Sequence, residues 1–371
     1  MSLFSNSKKS YLGIDLGTGS IKLVELSNYK GKAKLETYGY VDVAAEGLKS
    51  NSPEAKERII QAIKKLIQKS GAKSDKCVAA LPSFSVFNSI ITLPSLGKKD
   101  LASAIRWEAK KYVPLPIEEM VLDWKILSEE NKSKQDQEKP KEKKSLLDKL
   151  GKNKEEKSFS KILITAAPKN LVSRYIEIFK EAGLKLLSLE TESFALARCL
   201  IGHDKASVMI VDIGSITTDI CIIENGIPIL NRSLDTAGLA ITRAIASSLN
   251  VNLDRAEQFK RDYGISIFQN EQSQGIPKII EESLTPVINE VKYILDLYQK
   301  QGDKDVEKII LAGGSVFLPN LTEYFAETFK LKVYIGNAWE RIVYPTDLKP
   351  ALEEVGSRMA VAIGLAMREI Y

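Results

Sequence analysis

Two aspartates stand in matching surroundings. In YLGIDLGTGSIKLVEL (residues 11–26), Asp15 ends an apolar run and is followed at once by the small turn Gly17-Thr18-Gly19-Ser20. In VMIVDIGSITTDICIIENGIPILNRSLDT, which begins at Val208, Asp212 does the same before a turn holding Gly214, Ser215 and Thr217. An ordinary hairpin accounts for either turn alone, because glycine tolerates the positive φ of a tight turn. A hairpin needs no aspartate there, however, and two copies of one pattern point to a shared task. A turn of glycine and hydroxyl residues presents backbone N–H groups with no Cβ in the way, forming a concave site for a polyphosphate. A carboxylate at each strand end, facing the other across a cleft, suits a Mg²⁺ ion that keeps most of its waters while phosphates complete its shell. Lys22, just beyond the first turn, would reach a β- or γ-phosphate as a point charge. A third piece, KIILAGGSVFLPNLTEYFAETF (residues 308–329), runs a strand into Gly313-Gly314-Ser315. Two glycines let the backbone lie flat against a bulky ligand; a simple strand-to-helix turn is the alternative.

These residues must be held by a sizeable scaffold. A chain of 371 residues exceeds what one core usually organises, so two or more lobes are expected. Residues 11–43 read as three strands, followed by a helix with Ser52 as N-cap, Pro53 at its first position, Ile59, Ile63 and Leu66 at helical spacing, and Gly71 as its stop. CVAALP reads as a buried strand. From Phe84 to Leu187 the texture becomes that of a small α+β insertion: FNSIITLP, a helix from about Asp100, the strands MVLDWKIL and KILITAA, and a helix from Asn170 to Gly183. Within it, residues 128–160 are almost wholly polar or charged and are expected to form a mobile loop, because they bury too little surface to offset the entropy of ordering. The mixed signs of its charges disfavour the other reading, a basic arm for a partner or anionic lipid.

Composition excludes several classes. The net charge of +5 is small against 53 basic and 48 acidic residues, which argues against a nucleic-acid-binding face. Neither a signal sequence nor a run of about 18 apolar residues is present, so a soluble cytoplasmic chain is expected. Cys77, Cys199 and Cys221 lie in apolar surroundings without CxxC spacing and read as buried reduced thiols. Histidine chemistry would have to run through His203 alone, which sits in the polar turn GHDKA and reads as a solvated loop residue.

Taken in order, the three pieces resemble the phosphate 1, phosphate 2 and adenosine motifs of the actin-like ATPase superfamily. The resemblance implies an α/β fold of two duplicated ribonuclease H-like lobes with an α+β insertion in the first, binding ATP and Mg²⁺. It implies Asp15 and Asp212 as metal-facing residues and Gly17, Thr18, Gly19, Ser20, Lys22, Gly214, Ser215, Thr217, Gly238, Gly313, Gly314 and Ser315 as nucleotide-binding. LETESFALARC resembles the first connecting helix and places Glu192 where relatives often carry a catalytic acidic residue that helps position the metal's water. LDRAEQFKRDYG matches a second-lobe helix, with Glu257 and Lys260 near ribose and adenine. The implied layout is 1–83 for the first lobe core, 84–187 for the insertion, 188–204 for the connecting helix, 205–245 with 303–340 for the second lobe core, 246–302 for its subdomain, and 341–371 for the return to the first lobe. Ser215-Ile216 and Ala237-Gly238 depart from the glycine-rich forms of many relatives, which leaves ATP binding in place and argues for at most slow hydrolysis.

Within the superfamily, GIDLGTGSIKLVEL, RWEAKKYVPLP and MAVAIGLAMRE resemble the PilM family of type IV pilus assembly, related to FtsA. That resemblance implies a cytoplasmic scaffold at the inner membrane that grips the N-terminal tail of PilN in a groove. Trp107, Tyr112, Val113, Pro114 and Leu115 are candidates for its lining, since a residue before proline favours extended backbone; the other reading is that they close the insertion's own core. An FtsA-like or plasmid-partition filament and a small-molecule kinase are the alternative functions. FtsA proteins end in a basic amphipathic membrane helix, whereas RMAVAIGLAMREIY is apolar on most sides and is expected to pack inside the first lobe.

Overall fold

The computed structural model describes residues 9–43, 52–113, 115–131, 158–266, 274–302 and 304–371. Alternating apolar residues and the small turns produce an antiparallel meander of β1 (Ser10–Leu16), β2 (Ser20–Tyr29) and β3 (Lys32–Asp42). The helix α1 (Pro53–Ser70) is bounded as its sequence dictates. Ser52 Oγ accepts from the Ala55 N–H at 3.2 Å, and Gly71 closes the helix at φ 67°. Its face of Ala55, Ile59, Ile60, Ile63 and Leu66 is buried. β4 (Lys76–Leu81) then runs parallel to β1.

Residues 86–170 form a compact unit of their own, containing β5 (Phe87–Pro94), α2 (Lys98–Ala109), β6 (Met120–Asn131) and β7 (Ser158–Pro168). The sheet order is β5-β7-β6, all antiparallel, and Ile91, Leu93, Ile162 and Ile164 pack with Leu101, Ile105 and Ala109 of α2. The strands run into both ends of the segment expected as a loop: Ser128 pairs with Lys161 and Asn131 with Ser158. Polar residues with little apolar surface still satisfy their backbone groups in a ladder. Residues 132–157 lie outside the described residues. This unit is narrower than the insertion expected over 84–187, because the chain from Leu171 packs with the remainder.

The other unit resumes with α3 (Lys169–Glu181), β8 (Lys185–Thr191) and α4 (Glu192–Leu196), which widens into a π turn at Ala197–Ile201. A second sheet follows, with β9 (Val208–Ile213), β10 (Thr218–Glu224) and β11 (Ile227–Leu234). Next come α5 (Gly238–Leu249), α6 (Leu253–Tyr263), α7 (Ile276–Gly302), β12 (Lys308–Ala312), a 3₁₀ turn at Gly314–Phe317, α8 (Leu321–Phe329) and β13 (Lys332–Ile335). The chain closes with β14 (Ile342–Val343), α9 (Lys349–Val355) and α10 (Ala360–Met367).

The strand orders are β14-β3-β2-β1-β4-β8 and β11-β10-β9-β12-β13. Apart from β14 they match strand for strand: a three-stranded meander, then two strands parallel to its first. The duplication seen in the hairpins therefore extends to whole lobes.

All eight residues of α10 are buried, as a helix apolar on every side requires. A Cβ at Gly13 would strike the Ala362 carbonyl and the Ala366 amide, and Gly364 lies against Ala195 of α4. The two glycines let this helix lie directly on β1 beneath the first turn. Among the described residues, no helix is long and apolar enough to cross a membrane. The three cysteines are free and buried, with the thiols of Cys77 and Cys199 pushed up to about 12 by burial, and His203 is exposed.

Candidate nucleotide cleft

The two hairpins are equal in register as well as pattern. Leu16 pairs with Ile21 and Ile213 with Thr218, so each turn holds four residues, and Gly17 corresponds to Gly214 and Ser20 to Thr217. One position inward, Asp15 pairs with Lys22, and Asp212 pairs with Asp219. Lys22 and Asp219 thus occupy equivalent places with opposite charge.

Both turns open on one cleft of about 780 Å³. Asp15, Gly17, Thr18, Gly19, Ser20 and Lys22 line it from the first hairpin; Asp212, Gly214, Ser215 and Thr217 line it from the second. Glu192, Gly238, Glu257, Lys260, Gly313, Gly314 and Ser315 complete the set expected from sequence. The turns touch: a Cβ on Gly19 would come within 2.6 Å of Ser215 Cβ. Gly313, at φ 93°, lies against the Asp212 carboxylate and the Ile213 carbonyl, a place no side chain could share. Ser315 Oγ donates to the Gly214 carbonyl at 2.8 Å, which commits that hydroxyl to holding the second turn. Gly238, at the start of α5, donates its N–H to the same carbonyl at 3.3 Å.

The electrostatics are dominated by buried acids. Lys22 Nζ lies 2.8 Å from Asp15 Oδ2, so in this structure the lysine neutralises Asp15 instead of extending freely toward a phosphate site. Burial opposes the lysine's charge, yet Asp15, with Asp212 and Glu192 nearby, holds its pKa above the ordinary value. Burial, helped by Asp219 and Asp15 and opposed by Lys22, raises Asp212 to about 7. Asp219 rises to about 6, chiefly by burial, although the hydroxyls of Ser233 and Ser83 work the other way. Burial and then Asp219 push Glu192 well above the carboxylate range; the Ser83 N–H and Oγ donate to its Oε2 at 3.0 and 2.7 Å and limit that rise. Asp219 Oδ1 is buried and has no hydrogen-bond partner among the described residues. Several acids facing a single ammonium create a demand for positive charge. No group of three or more potential ligand side chains forms a ready metal cage among the described residues. An all-oxygen set of this kind matches Mg²⁺ that retains water and shares a ligand's phosphates.

Deeper in the second lobe, Lys260 Nζ donates to Glu257 Oε2 at 2.6 Å, Thr242 Oγ1 at 3.0 Å and the Gly238 carbonyl at 3.2 Å. Burial lowers the Lys260 pKa. For Glu257, burial works upward but the bonds from Lys260 and Thr242 prevail and lower it.

Asp219, Thr242, Tyr40, Tyr175 and Arg358 also line the cleft and were not singled out from sequence. Asp219 had a legible signal, a charge inside the apolar strand TDICIIE at the register partner of Asp212. Tyr175 had none, since it lies on the buried face of an ordinary amphipathic helix. Of the partner-binding candidates, Trp107, Tyr112 and Leu115 are exposed, at 65%, 52% and 43%. Val113 is half-buried and packs against the core of its own unit, and Pro114 lies outside the described residues.

A family model described as Type IV pilus assembly protein PilM matches residues 13–139 and 145–370. A chain of the PilM-PilN type IV pilus biogenesis complex is 26% identical, with a TM-score of 0.79 over 97% of this chain and 98% of that one. The cell division protein FtsA of Staphylococcus epidermidis is 22% identical over 218 residues, 53% of this chain and 46% of FtsA. The ethanolamine utilization protein EutJ of Carboxydothermus hydrogenoformans shares the fold alone, at a TM-score of 0.52 and 16% identity over 96% of this chain and 89% of EutJ. The chain spans about half the length of the first curated relatives it matches. The fold is that of the actin-like ATPases, and with a family model covering nearly its whole length, the chain belongs to the PilM family of type IV pilus assembly proteins.

Proposed function

We propose that this chain is a nucleotide-dependent scaffold of the type IV pilus inner-membrane platform, binding Mg-ATP between its lobes and the N-terminal tail of PilN on residues of its inserted unit. The observation that carries the nucleotide reading is the pair of duplicated Asp-Gly turns opening, one from each lobe, on a single cleft. In this reading the glycine and hydroxyl residues of the turns cradle the phosphates, and Glu257 and Lys260 meet the ribose and base. Asp15 and Asp212, joined by Asp219, hold the ion, whose contribution when bound is to polarise the γ-phosphate. Glu192 has one carboxylate oxygen engaged by Ser83 and positions a water with the other.

The PilN reading is supported by the likeness to a chain of the PilM-PilN complex over nearly the full length of both. Trp107, Tyr112 and Leu115 offer the exposed apolar surface for an extended peptide. ATP shifts the lobes toward a closed form, by no more than its differential affinity for the two forms, and the scaffold joins the cytoplasmic face of the membrane through its partners. Isothermal titration with Mg-ATP tests the clamp: Asp15→Ala and Asp212→Ala each lose affinity by at least tenfold, and unchanged affinity in both overturns it. Sedimentation with ATP separates this reading from an FtsA-like filament, which would pellet.

A further inference from the structure

Among the described residues, four cations line the cleft, and three of them are already matched. Lys22 pairs with Asp15, and Lys260 and Arg261 both pair with Glu257. Arg358 has no carboxylate partner among the described residues, although it lines the same cleft. It is nevertheless held in place. Its guanidinium carbon lies 4.7 Å from the centroid of the Tyr40 ring, a cation–π contact that fixes the head group while leaving its N–H donors to seek an anion.

Register tells where that head group stands. Asp15 on β1 is opposite Lys22 on β2, and Lys22 is opposite Tyr40 on β3, so the three side chains form a row on one face of the first sheet. Arg358 caps the end of that row. On its other side it reaches the second lobe: a Cβ on Gly314 would lie 3.4 Å from Arg358 Nε. Gly314 adjoins Ser315, whose hydroxyl holds the Gly214 carbonyl of the second turn. The backbone carrying the arginine is itself anchored there, with the Gly313 N–H donating to the Ser357 carbonyl at 3.4 Å and Ser357 Oγ donating to the Gly336 carbonyl at 3.0 Å. The equivalent row in the second lobe runs Asp212, Asp219, Ser233 and ends without an aromatic platform.

We infer that Arg358 is a phosphate-contacting residue of the cleft: a guanidinium presented by Tyr40 from the first lobe to the polyphosphate chain of the nucleotide, beside Gly314 of the second. The inference rests on the nucleotide reading above and adds to it the residue that spans the two lobes at the phosphates. A guanidinium donates two parallel hydrogen bonds to phosphate oxygens, which an ammonium cannot do. The contact should therefore be sensitive to shape as well as charge.

The test is titration of wild type, Arg358→Gln, Arg358→Lys and Tyr40→Leu with Mg-ATP, Mg-ADP and adenosine, with thermal unfolding of each free protein as the folding control. Arg358→Gln should bind Mg-ATP and Mg-ADP about tenfold more weakly and adenosine as well as wild type does. Arg358→Lys should recover only part of the loss, and Tyr40→Leu should lose about threefold. Equal binding of Mg-ATP by wild type and Arg358→Gln overturns the inference while leaving the nucleotide reading intact. Equal loss for adenosine overturns it in favour of stacking on the base. Failure of wild type to bind any of the three overturns the nucleotide reading itself.

Discussion

At the scale of single residues, charge balance governs the cleft. Asp212 is buried, Asp219 and Asp15 face it, and Lys22 is the cation that opposes its rise to about 7. In the unfolded chain the aspartate titrates near its ordinary value of 3.8. Below that pH both states hold the proton and the carboxyl costs nothing. Between 3.8 and about 7 the unfolded chain has lost its proton while the folded one keeps it, so stability falls as pH rises and levels off above the folded value. Asp212→Asn removes this dependence. Relative to wild type without nucleotide, the variant should be equally stable below pH 4 and more stable by a few kcal/mol (on the order of 3) above pH 7. Urea midpoints at pH 4 and pH 8 check this; a gap that does not widen with pH contradicts it. Lys22→Met has the opposite sign. It leaves Asp15 buried without its partner and should cost roughly 3 kcal/mol at pH 8.

At the scale of elements, what positions the first turn is the seat of α10 on β1. The helix is apolar all round and has no polar face to leave in water, so its burial is obligatory, while its depth is set by Gly13. Gly13→Ala puts a methyl group into the Ala362 and Ala366 backbone, which has no rotamer with which to yield, and should cost about 3 kcal/mol. Gly97→Ala, where nothing lies within 4 Å, should change stability by no more than about 0.5 kcal/mol. Denaturant midpoints of the two variants make the comparison. A loss at Gly13 no larger than that at Gly97 would contradict the close approach of α10 as the reason for Gly13.

At the scale of the whole molecule, the proposed activities rest on separate surfaces: the nucleotide on the cleft within the larger unit, the peptide on exposed side chains of residues 86–170. Mg-ATP at about 100 times its dissociation constant should stabilise the protein by about 2.7 kcal/mol. Asp212→Ala should lose that gain in a thermal-shift assay and still retain a PilN-tail peptide in pull-down. Trp107→Ala with Tyr112→Ala should do the reverse. Loss of both bindings in either variant would show that the two surfaces do not act separately.

The amino-acid sequence by itself determined the hairpins, the bounds of α1, the burial of the terminal helix and the duplication, because these follow from local periodicity, caps and repeats that neighbouring residues carry. It also brought Asp15, Asp212 and the three glycine turns to notice, since a charge or a paired glycine inside an apolar run is visible without coordinates. Only the tertiary structure decided which charges balance. Lys22 turns to Asp15, Asp219 stands in the equivalent place with the opposite sign, Val113 packs against the core of its own unit, and Arg358 meets Tyr40 and Gly314 from far along the chain. Those outcomes depend on strand register and on segments distant in sequence packing together, and electrostatic energy depends on separations and burial that no local pattern encodes.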